Sequence, residues 1–225
     1  MVKKKKKKFR FKRFLLLLLT ILLFACVIYS LSLIKPKSYL VYNNTYLNDE
    51  EVLNELKLDK NDSFLLVNSF SLKEFVKKSD LIKEIKISKT LSLNIKVKIT
   101  EYKVLYYDNK SNRTILENGK EISYKNNNVP VLINEISDKE VKKNFIKKLN
   151  KVDDTILSSV SEIIYSPNGI DKERFLFSMN DGNYVYVTIS KLTKINEYRS
   201  VIDSVENKKG ILYLDYGNYF VPKEN

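Results

Sequence analysis

The side chains that most often run catalysis are thin here. Histidine, the commonest general base and metal ligand, is absent from all 225 residues. The single cysteine, Cys26, lies inside an apolar run, so no disulfide joins the remainder. Asp153-Asp154 and Glu50-Glu51 are adjacent acid pairs, and sequence neighbours do not share a helix face, which suits turns and caps better than acid–base work. A Ser/Lys hydrolase needs no histidine, yet no serine sits in a glycine-rich elbow. The five glycines fall at turns, so no loop is built to cradle phosphate and no cofactor is expected. The 15 tyrosines and 11 phenylalanines could stack on sugars or bases, but read better as sheet and core residues. What is left is binding, and the elements that would position a binding surface follow.

Phe14 to Ile34 carries no charge over a length that a helix would stretch to about 31 Å, the thickness of a bilayer core. Nine cations precede it (Lys3 to Lys8, Arg10, Lys12, Arg13), and only Lys35 and Lys37 follow closely. That asymmetry predicts a cytoplasmic N-terminus and a domain outside. Two rivals remain open. A cleaved signal peptide would end near Ser30 and Ser32, although its apolar run would be shorter. Leu23-Phe24-Ala25-Cys26 looks like a lipobox that would lipidate Cys26, although Phe24 is bulky and the chain stays apolar beyond it. All three readings put the domain outside. The formal charge is +13, but residues beyond the basic head carry only +4. No nucleic-acid footprint is implied. The three Asn-x-Ser/Thr triplets carry no weight in a chain so rich in Lys and Asn.

The order of elements is legible. Tyr39–Leu47 reads as a strand. Asn48 with Glu51 forms a capping box for a helix over Val52, Leu53 and Leu56. Phe64–Val67 reads as extended, and Ser71 with Glu74 starts a second helix, stapled by Phe70 and Phe75. A strand with Ile85 and Ile87 turns at Ser88–Thr90. Then Leu91, Leu93, Ile95, Val97 and Ile99 alternate strictly with polar residues, the pattern of a half-buried strand.

A β-α-α-β-β module directly after a single apolar helix resembles a POTRA domain. Its ending, Leu81 to Tyr102, is similar to that of the FtsQ/DivIB family of bacterial division proteins. Glu101 matches the closing acid, and Ile99, Val97 and Ile95 match the alternating positions. Lys89 stands where Arg is usual, and Ser92 replaces a proline. The second half follows the family's order. Lys103–Tyr107 is a strand, and a hairpin over Thr114–Ser123 turns at Asn118-Gly119 in type I′ geometry. The segment Asn128 to Leu132 resembles the family's "l-P-v-l". Ser137 with Glu140 caps a helix carrying Val141, Phe145, Ile146 and Leu149. Strands follow over Ser161–Tyr165, Arg174–Asn180 and Tyr184–Ile189. A helix from Ser190 bears Leu192, Ile195, Tyr198, Ile202 and Val205. The last strand, Ile211 to Phe220, is close to the family's "G-x-i-D-x-x-x-g-y-f-x-P", down to Pro222.

These readings give an α+β chain: a basic tail (1–13), a transmembrane helix (14–34), a POTRA domain (38–101), a mainly antiparallel β domain (102–222) and a short tail (223–225). The resemblance implies a non-enzymatic division scaffold at the septum. It implies binding to FtsL-like and FtsB/DivIC-like single-pass proteins and an effect on the septal peptidoglycan synthase. A POTRA protein outside division and an anchored wall hydrolase or peptidase are the alternatives. A terminal strand with unpaired backbone suits a partner's added strand. The candidate site is therefore Ile211, Leu212, Tyr213, Leu214, Tyr216, Gly217, Tyr219 and Phe220, with Asp215 as its one charge. If that strand is internal, the same residues are core.

Overall fold

A computed structural model describes residues 11–124, 128–206 and 208–223. The chain forms two compact units, Met1–Glu101 and Tyr102–Asn225. Most of the expected basic tail and the last two residues lie outside the described residues.

In the first unit, helix α1 (Phe11–Ser32) is the one described helix long and apolar enough to cross a membrane. It ends two residues before the expected Ile34, in a turn that leads to Pro36. Proline disfavours helix in the residue before it. Strand β1 (Ser38–Tyr42) is shorter than expected. Asn43 takes a left-handed φ of 64°, and the Glu101 carboxylate accepts the N–H groups of Thr45, Tyr46 and Leu47 at 2.7–3.0 Å. Those amides close a turn around the acid and do not extend the strand.

Helix α2 (Asp49–Glu55) carries the expected Asn48/Glu51 capping box. The start of helix α3 (Lys73–Lys78) differs from expectation. Asn68 Oδ1 already accepts the N–H groups of Phe70 and Ser71, so the helix begins later, without a side-chain cap. Phe70 is 84% exposed and staples nothing. Phe64–Val67 forms turns, not a strand.

Strands β2 (Ile82–Lys89) and β3 (Asn94–Glu101) complete a sheet of order β1-β3-β2, with β3 parallel to β1 and antiparallel to β2. Ile95, Val97 and Ile99 are fully buried while Lys96, Lys98 and Thr100 face water. The alternation stops at Asn94. Leu91 and Leu93 belong to the tight β2–β3 turn, where Leu93 has a φ of 61°. A period of two continues through a turn as easily as through a strand.

Among its described residues the second unit holds nine strands, in the order β12-β11-β10-β9-β8-β7-β4-β5-β6. They are β4 (Val104–Asp108), β5 (Arg113–Leu116), β6 (Glu121–Ile122), β7 (Val131–Leu132), β8 (Val160–Tyr165), β9 (Arg174–Met179), β10 (Tyr184–Thr188), β11 (Gly210–Tyr213) and β12 (Tyr219–Pro222). The β5–β6 hairpin does not use a type I′ turn. Leu116 C=O accepts Gly119 N–H (2.8 Å), and Gly119 has a φ of 81° while Asn118 keeps a negative one. This is a type I turn with its left-handed residue at the glycine.

Helix α4 (Lys139–Leu149) is capped by Asp138, one residue after the expected Ser137. The Asp138 carboxylate reaches two first-turn amides. The short helix α5 (Asp154–Leu157) follows. The expected helix after Ser190 is a 3₁₀ segment, Ile189–Glu197, running into α6 (Tyr198–Ser204). Parallel neighbours require a crossover between them. Helices α4 and α5 supply it between β7 and β8, and the 3₁₀–α6 stretch supplies it between β10 and β11. Both crossovers bury apolar residues in one core with the sheet, where Phe145 stacks on Phe175 at 4.1 Å.

A candidate partner-binding edge

The stretch Ile211–Phe220 is a hairpin, not one strand. Strand β11 pairs parallel to β10, and β12 returns antiparallel and ends the sheet. The reason is Asp215. The expected exposed edge charge is buried instead. Its carboxylate accepts Arg174 Nε–H at 2.8 Å, with 1% of the Asp side chain and 15% of the Arg side chain exposed. Lys191 Nζ donates to the Asp215 carbonyl at 2.7 Å. Turning an acid inward onto a cation takes the backbone out of the strand, and Tyr216 to Asn218 become the turn.

The root of the hairpin is as tightly specified. Gly210 N–H donates to Asn183 Oδ1 (2.7 Å). The Asp181 carboxylate accepts Asn183 N–H (3.0 Å) and the Tyr198 hydroxyl (2.8 Å), which ties β11 to α6. Burial raises the Asp181 pKa, but the Asn183 backbone, Tyr198, the Asn183 side chain and Lys209 outweigh it and hold the carboxyl below its ordinary range. Burial and the same carboxylate push the Tyr198 hydroxyl well above its usual value. A Cβ on Gly210 would lie 2.2 Å from Val221 O, so only glycine lets β12 approach here.

One face of this end of the sheet is an aromatic ladder. Arg174 lies 3.7 Å from the Tyr186 ring centre, Tyr186 stacks on Tyr213 (5.4 Å), and Tyr213 stacks on Tyr219 (4.9 Å). On the other face a groove of about 320 Å³ runs between β12 and the crossover, lined by Lys194, Val201, Leu212 and Phe220 among others.

Backbone register identifies what the edge offers. Lys223 N–H donates to Lys209 C=O, and Leu212 pairs with Phe220. In an antiparallel ladder, inward and outward groups alternate. Tyr219 and Val221 therefore bond β11, while Phe220 and Pro222 direct their backbone outward. Proline has no N–H, so Phe220 supplies the strand's one outward donor.

The candidate residues divide accordingly. Leu212 and Leu214 are core, and Ile211 and Tyr213 are half-buried on β11. Tyr216 and Gly217 form the turn. Of the eight, only Tyr219 and Phe220 lie on the edge strand. Sequence reasoning missed Val221 and Pro222 beside them, and Tyr186 and Arg174 in the ladder. Tyrosines alternating at 184 and 186 were the available signal.

The acid pairs of the sequence lie elsewhere. Glu51 is in the capping box, and Asp154 pairs with Lys103 at 2.6 Å. Among the described residues no three His, Cys, Asp or Glu side chains converge as a metal site.

One bilayer-length helix, a β-α-α-β-β module and a β unit with an open last strand define a POTRA protein of the single-helix kind. Residues 37–102 match the family described as "POTRA domain, FtsQ-type". The chain is 33% identical over 225 residues to the cell division protein DivIB of Bacillus anthracis, covering 96% of this chain and 85% of that one. It is 28% identical to DivIB of Listeria monocytogenes, covering 96% and 84%. It also resembles the solved major extracytoplasmic domain of DivIB from Geobacillus stearothermophilus. That likeness has a TM-score of 0.40 and 22% identity, over 48% of this chain and 97% of that one. The chain belongs to the FtsQ/DivIB family of bacterial cell-division proteins, as its motifs imply.

Proposed function

We propose that this division-related POTRA protein is a bitopic, non-enzymatic scaffold. Helix α1 spans the membrane with the basic flank in the cytoplasm, and residues 38–101 and 102–222 work as two exterior domains at the septum. The scaffold binds FtsL-like and FtsB/DivIC-like single-pass proteins and so helps recruit or regulate the septal peptidoglycan synthase. Three features support this reading: the charge asymmetry about the apolar helix, the family's part in division, and a chain without histidine in which Glu51 caps a helix and Asp154 pairs with Lys103.

The observation that carries the partner reading is the open β12 edge, with Phe220 N–H outward between an aromatic ladder and a groove of mixed apolar and polar lining. A partner strand added there gains backbone bonds, and its alternate side chains meet ladder and groove in turn.

Phe220→Pro removes the donor and the ring, while Phe220→Ala removes the ring alone. Co-purification with FtsL-like and FtsB/DivIC-like proteins is expected to be lost in the first and only weakened in the second. Thermal unfolding of both should stay cooperative. Full capture of those partners by Phe220→Pro would remove β12 as the docking strand.

A further inference from the structure

Two segments whose patterns suggest core, Phe64–Val67 and Leu91–Leu93, contribute apolar side chains to the surface instead. Leu91 packs against nothing at 105% exposure, and Leu66, Leu65 and Leu93 are 61%, 44% and 39% exposed. All four are at one end of the POTRA module, and hydrogen bonds tie that end to the residues leaving α1. Ile34 C=O accepts Phe64 N–H at 2.8 Å, and Leu93 C=O accepts Lys37 N–H at 2.9 Å. Helix α1 ends at Ser32, so the Phe64 loop is bonded two residues past it, at most about 7 Å of chain, and the Leu93 turn five residues past it, at most about 18 Å.

Strand directions agree. Ser38 of β1, Asn94 of β3 and Lys89 of β2 share this end, while Tyr42, Glu101 and Ile82 share the opposite one. The two ends are roughly 17 Å apart, five residues of strand. The loop is held in place rather than free. Lys89 Nζ donates to Leu65 C=O (2.7 Å) and lies 5.4 Å from the centre of the Phe64 ring, and Lys35 Nζ donates to Asn61 Oδ1 (3.0 Å).

We infer that this end of the POTRA module rests in the lipid surface that α1 enters, with Leu65, Leu66, Leu91 and Leu93 dipping into the headgroup–acyl boundary. The inference depends on α1 spanning the membrane, as proposed above. Exposed leucines cost free energy in water and lose that cost at a lipid boundary. Lys35 and Lys37, both exposed, flank the exit where anionic headgroups lie. The lipid occupant follows from chain reach: no partner has to arrive, because the Phe64 loop is bonded only two residues, about 7 Å of chain, past the helix that enters the bilayer. The module would thereby be seated on the membrane and not swing freely on a tether.

The chain contains no tryptophan, so a single introduced one reports its own depth. Leu91→Trp, Leu66→Trp and, at the far end, Thr45→Trp are placed separately in the full chain. Each is reconstituted in phosphatidylglycerol/phosphatidylcholine vesicles with acyl chains brominated near the headgroup. Leu91→Trp and Leu66→Trp should be quenched and blue-shifted, and Thr45→Trp should emit as in water. If all three emit alike from protein that resists alkaline carbonate extraction, the anchor stands and the seating is wrong. If carbonate extracts the protein, the anchor reading falls and the seating with it.

Discussion

The two units each end a sheet in a free strand, and they treat it differently. On β2 the register directs the Ile85, Ile87 and Lys89 backbones outward, and the Ile87 N–H is closed by Ser69 Oγ at 3.0 Å. The strand is also studded with exposed charge at Lys83, Glu84, Lys86 and Lys89. Charge and local cover are how proteins protect an edge from unwanted pairing. Strand β12, Tyr-Phe-Val-Pro, has neither: its outward donor at Phe220 is uncovered and no charge lies within it. Its one guard is Pro222, which limits how far an added strand can extend. The same backbone chemistry is thus sealed in one unit and left available in the other. On the proposed reading, that difference is what leaves β12 open to a partner.

The severest way to break that comparison is to unfold one side of it. Ile95→Asp would bury a carboxylate at a fully enclosed position. The expected loss is on the order of 5 kcal/mol, comparable to a small module's whole stability. Lys96→Asp, on the water face, should change urea unfolding little. Equal effects would mean that the β3 register, and with it the identity of the β2 edge, is wrong.

Next in size is Asp215→Ala, which leaves the Arg174 guanidinium 15% exposed without its acid. A loss of about 3 kcal/mol is expected, with reduced partner capture because the turn into β12 relaxes. Unchanged unfolding and binding would show that the ion pair does not shape the edge.

Opening the sealed edge should cost less. Ser69→Ala exposes the Ile87 N–H and should lower stability by about 1 kcal/mol, leaving partner capture as it was. If it instead created a second binding edge, local cover would be confirmed as the distinguishing device.

The smallest effect is read from pH. The folded Asp181 carboxyl titrates below its ordinary value near about 4. A depressed acid contributes stability that is present above the unfolded pKa and lost as pH falls through the folded one. The root of β11 should therefore hold at neutral pH and weaken below about pH 4. Asp181→Asn should flatten that part of the stability–pH curve. An unchanged slope would assign acid sensitivity to other groups.

Much of this was legible without coordinates. The Asn48/Glu51 box, the Ile95-Val97-Ile99 alternation, the uncharged run of α1 and the family motif ending at Pro222 were all sound. Capping, periodicity and hydropathy are set by neighbours a few residues apart, and so they survive in one dimension. Tertiary structure alone decided where patterns stop and which strand is last. Asp215 reads as an edge charge until Arg174, 41 residues away, draws it inside and splits one strand into two. Leu91 and Leu93 read as core until β2 pairs with β3 and leaves them in the turn. The Phe220 amide becomes the open donor only because β11 crosses over to lie parallel to β10, leaving β12 outermost. Edges, turns and buried pairs depend on partners distant in sequence, and local pattern carries no record of them.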